Sequence, residues 1–271
     1  MIGPKVGARV RPRVRPVVGM GRLGAAAAIA GVTRDAASGI YFPANQAEWT
    51  LMMAAAGLAT GNPSLVWNHQ DASGNPAEAD GGVALVVENA AGISYQNAVA
   101  GFTRKALNTT SGTAGLVRTT DAGLPDLATT SQLLLGVVKP TTIANTRDLL
   151  LMGTTATRVA AKNLLTTGFI QAICVGNTLD GVVNEGGVVT PLALRLNRNN
   201  STCGVFTKDE KLAVTFAGTV AGKSVAYGNL MSGCATCQYL YLVSFHGAAA
   251  QLSDAQLKTL LTALGWSIAW T

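Results

Sequence analysis

Between residues 65 and 247 the chain is cut into short apolar runs by clusters of Gly, Asn, Asp, Thr and Ser, and this patterning restricts its fold more than any other feature. Runs of about four to eight residues between turn clusters read as strands, because a helix needs ten or more residues to close an apolar face. The runs fall at 83–87, 115–119, 132–139, 147–152, 169–175, 192–197, 202–207, 211–217, 224–227 and 239–246. Many short strands at this spacing predict a β-sandwich or barrel. In the last run Tyr239, Tyr241, Val243 and Phe245 alternate with Leu240, Leu242, Ser244 and His246, so the strand should be covered on both faces. Asn177-Thr178-Leu179-Asp180-Gly181 reads as a hairpin turn, since Asp-Gly suits positive φ.

Two helices flank this region. Asn45 can cap a helix over 46–56, with Glu48 at the reciprocal capping position, Gly57 as the stop, and Trp49, Met52, Met53 and Ala56 as its apolar face. Near the C-terminus Ser253 and Gln256 form a capping box. Leu257, Leu260, Leu261 and Leu264 follow the i, i+3, i+4, i+7 pattern, and Gly265 ends the helix. The 271 residues suit one large domain or two small ones, a size all-β sandwiches often reach as one domain, and the ample core requires neither disulfides nor metal for folding. Charged residues are only 13%, which argues against disorder.

The net charge of +6 is unevenly placed. Residues 1–22 carry Lys5, Arg9, Arg11, Arg13, Arg15 and Arg22, the first acidic residue is Asp35, and the remainder balances fourteen basic against fourteen acidic residues. Basicity therefore belongs to an N-terminal arm. Pro4, Pro12 and Pro16 block helix there, and the Arg-Val-Arg alternation would put arginines on one side of an extended strand and valines on the other. Such an arm either packs on its own domain or lies on a neighbouring subunit, and the neutral body, with no acidic groove evident, favours the neighbour. The expected division is arm and linker over 1–35 and a β domain over 36–271. Apolar residues 23–32, preceded by arginines and containing Ala28-Ile29-Ala30, faintly imitate a secretory leader, but the stretch is rich in Gly and Ala rather than Leu. No apolar run reaches the roughly 20 residues of a membrane span, so no membrane partner is expected.

Two places carry a family likeness. The first is Trp67-Asn68-His69-Gln70-Asp71-Ala72-Ser73-Gly74-Asn75, followed by Ala79-Asp80-Gly81-Gly82. The second is the closing strand and helix from Tyr239 to Trp266, with Leu252-Ser253-Asp254 at the junction. Together they resemble concanavalin A-like, laminin-G-like domains of the kind found in phage structural proteins. The resemblance implies a mostly β fold: an antiparallel jelly-roll sandwich with a short N-proximal helix, a C-terminal helix and an extended basic arm. It also implies structural roles, with Asp71 and Ser73 shaping a turn and Ser253 and Asp254 starting the terminal helix. No calcium or sugar ligand of that family matches a residue here.

Residues that could carry chemistry are few. Glycosidases on this architecture face two carboxylates across a cleft, about 5–5.5 Å apart for retention, but Asp209 and Glu210 are adjacent and read as a hairpin turn beside Lys208 and Lys211. A Ser-His-Asp hydrolase would have to use His69 or His246, both at strand ends, and no G-x-S-x-G precedes a helix. Cys234-Ala-Thr-Cys237 could hold half a zinc site, but Cys174 and Cys203, 29 positions apart, make a poor second pair. A disulfide among the four cysteines, or free buried thiols, are the other readings. The arm could neutralise several phosphates, but with no interleaved aromatic it suits carboxylates on a protein partner better than nucleic acid.

The sequence thus predicts no enzyme and no cofactor. By resemblance it predicts a virion structural protein on a phage particle surface, a capsid decoration or tail/fibre component. Lys5, Arg9, Arg11, Arg13 and Arg15 would anchor it to other virion proteins, and a homo-oligomer is expected. The alternative is a lectin-like module that binds host glycans.

Overall fold

The computed structural model describes residues 28–271 other than 60, 72, 88–91, 97, 110–116, 120–122, 142–146, 155–156, 165–167, 224 and 228–235. The chain divides into two units, Met1–Ala30 and Gly31–Thr271, and the second carries every element of the fold. The arm residues Lys5, Arg9, Arg11, Arg13 and Arg15 lie outside the described residues, as does Cys234.

Two antiparallel sheets form a β-sandwich. The first contains β1 (Leu65–Trp67), β3 (Ile93–Gln96), β4 (Ala106–Thr109), β6 (Gln132–Pro140), β11 (Thr190–Asn197), β12 (Thr202–Phe206), β13 (Lys211–Thr215) and β15 (Cys237–His246). Its order is β13-β12-β11-β6-β15-β4-β3, with β1 also paired to β15. The second sheet contains β2 (Val86–Val87), β5 (Val117–Thr119), β7 (Arg147–Gly153), β8 (Arg158–Asn163), β9 (Phe169–Cys174), β10 (Asn177–Asn184) and β14 (Val225–Tyr227), in the order β10-β9-β8-β7-β14-β5-β2. Strands β11 to β13 lie across β7 to β10. Between the sheets sit Leu134, Val138, Leu150, Met152, Val159, Leu194, Val205 and Leu242, all essentially inaccessible to water.

The first sheet is covered on its other face as well, as the 239–246 pattern predicts. Helix α1 (Gln46–Ala55) brings Trp49, Met52 and Met53 onto it. Trp49 meets Phe245 edge-on at 5.3 Å, and its Nε1 donates to Tyr241 Oη at 2.8 Å. Tyr241 in turn donates to the Pro43 carbonyl at 2.5 Å. An indole N–H and a phenol thus enter an apolar layer with both donors satisfied. Helix α2 (Asp254–Ala263) buries Leu257, Leu260 and Leu261, and its Ser253–Gln256 capping box is present as the sequence predicts.

The structure corrects three local expectations. The hairpin turn is not at 177–181, which belongs to β10. Cys174 pairs with Asn177, so the turn is Val175-Gly176, with φ of 49° and 85°. Positive φ at both positions is what a tight two-residue hairpin requires, and a β-branched Val there hides it from residue preferences. The run 83–87 yields strand only at Val86–Val87. The Leu85 N–H donates to the Pro76 carbonyl, and the Val83 carbonyl accepts from Trp67 Nε1, so this backbone is committed elsewhere. Asn45 does accept from the Glu48 N–H, but the Glu48 carboxylate does not reciprocate and binds the Thr33 and Ala44 N–H groups instead.

Candidate functional site

Strands β2 and β3 edge the two sheets on the same side of the sandwich, and the loop after β1 fastens itself to both. Its anchor is Trp67, fully buried, donating from Nε1 to the Val83 carbonyl at 2.8 Å. The organiser is Glu78. Its carboxylate accepts from the N–H groups of Val66 at 2.8 Å, Asp80 at 3.0 Å and Gly82 at 2.7 Å. Three converging donors satisfy a largely buried carboxylate and fix the path of the loop. Further out, the Ala77 N–H donates to Asp71 Oδ2 at 3.4 Å.

Two contacts then tie the loop tip to the sheet edges. The Val87 N–H donates to Asn75 Oδ1 at 2.9 Å, and Tyr95 Oη donates to the Gly74 carbonyl at 2.9 Å. Gly74 stands at φ 83°, where a side chain would be strained. Between tip and edges lies an open groove of about 330 Å³, floored by Val87 and Ile93 and walled by Ser73, Asn75, Ser94 and Tyr95. Tyr95 is half-buried, packed against the core on one side. Burial, with the nearby Asp71 carboxylate, pushes its phenol up to about 12, so it is a neutral ring and hydrogen-bond donor at any physiological pH.

A polar row continues outward from this edge. In register, Ser94 lies opposite Asn108, Asn108 opposite Gln238, and Gln238 opposite Lys139. Asn108 Nδ2 donates to Ser94 Oγ at 3.2 Å, and Gln238 Nε2 donates to Gln96 Oε1. Ser94, Asn108 and Gln238, with Lys139 at the β6 end, thus form a polar row on the sheet face opposite to the one Tyr95 occupies.

The two histidines and the Arg195–Asp254 pair are structural. His69 is fully buried beside Arg104, and burial followed by that charge holds its imidazole down to about 3. His246 Nε2 lies 2.9 Å from Ser244 Oγ, but Ser244 is inaccessible and also accepts from Gln132 Nε2 at 2.8 Å. That serine is a satisfied interior hydroxyl, not a nucleophile. Burial holds His246 down to about 4. A second cleft of about 400 Å³ opens at the start of α2, where Arg195 is spent on the Leu252 carbonyl at 2.8 Å and Asp254 Oδ1 at 2.6 Å. Asp209 and Glu210 occupy the turn between β12 and β13, as expected. Among the described residues no three His, Cys, Asp or Glu side chains could hold a metal.

Of the cysteines singled out in the sequence, Cys237 opens β15 with its thiol buried, and Cys174 and Cys203 are free thiols in the core. Sequence reasoning missed Tyr95 and Glu78. The only local trace of Tyr95 is an aromatic in the short alternating stretch Ile93–Gln96.

No family model matches the chain, and no curated protein matches it in sequence. Among solved structures, Trypanosoma rangeli sialidase in complex with sialic acid is similar at 12% identity and a TM-score of 0.55, covering 73% of this chain and 32% of that one. The chain therefore spans about a third of the sialidase it matches. The Ruminococcus gnavus IT-sialidase CBM40 bound to alpha2,3 sialyllactose aligns at 14% identity over 59% of this chain and 96% of that one, with a TM-score of 0.44. At 12% identity the likeness to the sialidase is one of fold alone.

Proposed function

We propose that this chain is a non-enzymatic, lectin-like module that binds a carbohydrate in the groove walled by Tyr95. The observation that carries the reading is the groove itself: a half-buried aromatic ring set among Ser73, Asn75 and Ser94 at the paired sheet edges. A sugar presents an apolar C–H face and a rim of hydroxyls, and an aromatic wall beside amide and hydroxyl groups matches both. The Asp71 carboxylate acts on Tyr95, which favours a neutral or amino sugar over an acidic one. Titration of neutral and acidic oligosaccharides, first by array and then by calorimetry, tests this. Tyr95→Ala should weaken binding of the preferred glycan at least tenfold while leaving the thermal midpoint within a few degrees. Absence of any glycan ligand, or equal binding by Tyr95→Ala, would overturn the proposal.

The basic arm supports a second reading: that this module sits on a virion, as a capsid decoration or tail/fibre component. The arginines would engage acidic surface on neighbouring virion proteins, in a homo-oligomeric arrangement. Changing Arg11 and Arg13 to Glu should then abolish incorporation into particles without unfolding the domain. Incorporation that survives the change rejects anchoring.

A further inference from the structure

We propose that Cys174 and Cys203 are an inter-sheet disulfide pair, joined when the chain folds in the presence of a small-molecule disulfide. Cys174 ends β9 in one sheet and Cys203 lies in β12 in the other, and these two strands face each other across the sandwich. Cys174 stands in register with Val159, and Cys203 with Leu196. All four side chains are fully buried in one core cluster, so both thiols point into the space between the sheets. The Cys174 thiol, more than burial, drives the Cys203 thiol far above the ordinary range. Two thiols buried in one core cluster, on strands that face each other from opposing sheets, are placed where a disulfide could close.

The chemistry balances with oxidised glutathione as the acceptor. One cysteine thiolate attacks a glutathione sulfur, forming a mixed disulfide and releasing one glutathione. The second thiolate then displaces the other glutathione, so two protein thiols lose two protons and two electrons while one glutathione disulfide becomes two thiols. Because attack requires thiolate and the folded core suppresses it, the exchange belongs to the folding chain. Once closed, the bond is shielded from reductants by the same burial.

The test uses the full chain. It is unfolded, refolded with a glutathione redox buffer, alkylated, digested with trypsin without reduction, and mapped by mass spectrometry. The expected species joins the tryptic peptide 163–195 to peptide 199–208. The oxidised protein should melt about 5–10 °C above the reduced protein, from closing a loop of this length. Cys203→Ala should abolish both the linkage and the shift. The double variant Cys234→Ala/Cys237→Ala should keep both. Pairing of Cys174 or Cys203 with Cys234 or Cys237, or only glutathione adducts after refolding, overturns the proposal.

Discussion

Lowering the pH from 7 to 5 should weaken this domain through His69. In the unfolded chain its imidazole titrates near 6.5, whereas in the core it stays neutral down to about 3. The unfolded state therefore binds a proton that the native state refuses. The stability His69 permits is fully present above about pH 6.5 and drains as pH falls toward 3. At pH 5 the gap is about 1.5 units, or about 2 kcal/mol. His246, held down to about 4 by burial, acts with the same sign. Asp35 and Asp254 do not intrude. Burial raises both carboxyls, but hydrogen bonds from Thr103 and Ser38, and from Arg195 and Lys211, outweigh it, so their contributions persist until pH falls below the ordinary carboxylate range. Glu185 opposes the histidines, because burial raises its pKa and its folded form takes up a proton first, adding stability as pH falls. Urea midpoints at pH 7 and pH 5 for the wild type, His69→Asn and Glu185→Gln separate these effects. Asn suits the position because His69 stands at φ 53°, where Asn is tolerated. The wild type should lose about 2 kcal/mol more than His69→Asn over that interval. Equal losses, or an imidazole signal of the folded domain titrating near 6.5, would refute the reasoning.

Other consequences can be checked directly. Glu78→Ala strands three backbone donors that its carboxylate now satisfies, and should cost about 2–4 kcal/mol in denaturant unfolding as well as glycan binding in the groove. Ser253→Ala removes the α2 cap and should cost about 1 kcal/mol, seen as a lower urea midpoint with unchanged slope. Gly181→Ala would put a methyl 2.6 Å from the Ile170 carbonyl and against the Glu210 carboxylate, so the melting temperature should fall while Gly176→Ala, with open space around it, pays only for its left-handed backbone.

How far the fold could be read in advance follows from how local each signal is. Helix α2 announces itself through Ser253, Gln256 and four leucines within a dozen residues, all of which act within one element. Strands β6, β11 and β15 are long and apolar, so their double burial is legible. Strand β8, Arg158–Asn163, is not, because two alanines and two cations carry no strand pattern until neighbours pair with them. The groove was hidden for the same reason. Tyr95 meets Gly74 only because topology brings an edge strand beside a loop more than twenty residues earlier, and Glu78 earns its role from three backbone amides that no spacing rule reveals.

The pairing of β15 has a consequence for how the chain matures. This late strand binds β1, β4 and β6, whose residues are made far earlier. Until the polypeptide through His246 has left the ribosome, Val66 and Leu107 have no β15 to close against, and β6 can pair only with β11. The first sheet cannot assemble stepwise from its N-terminal side, and folding waits on contacts of large sequence separation. During synthesis the β15-facing edges of β1, β4 and β6 wait unpaired, the interval in which such chains depend on chaperones.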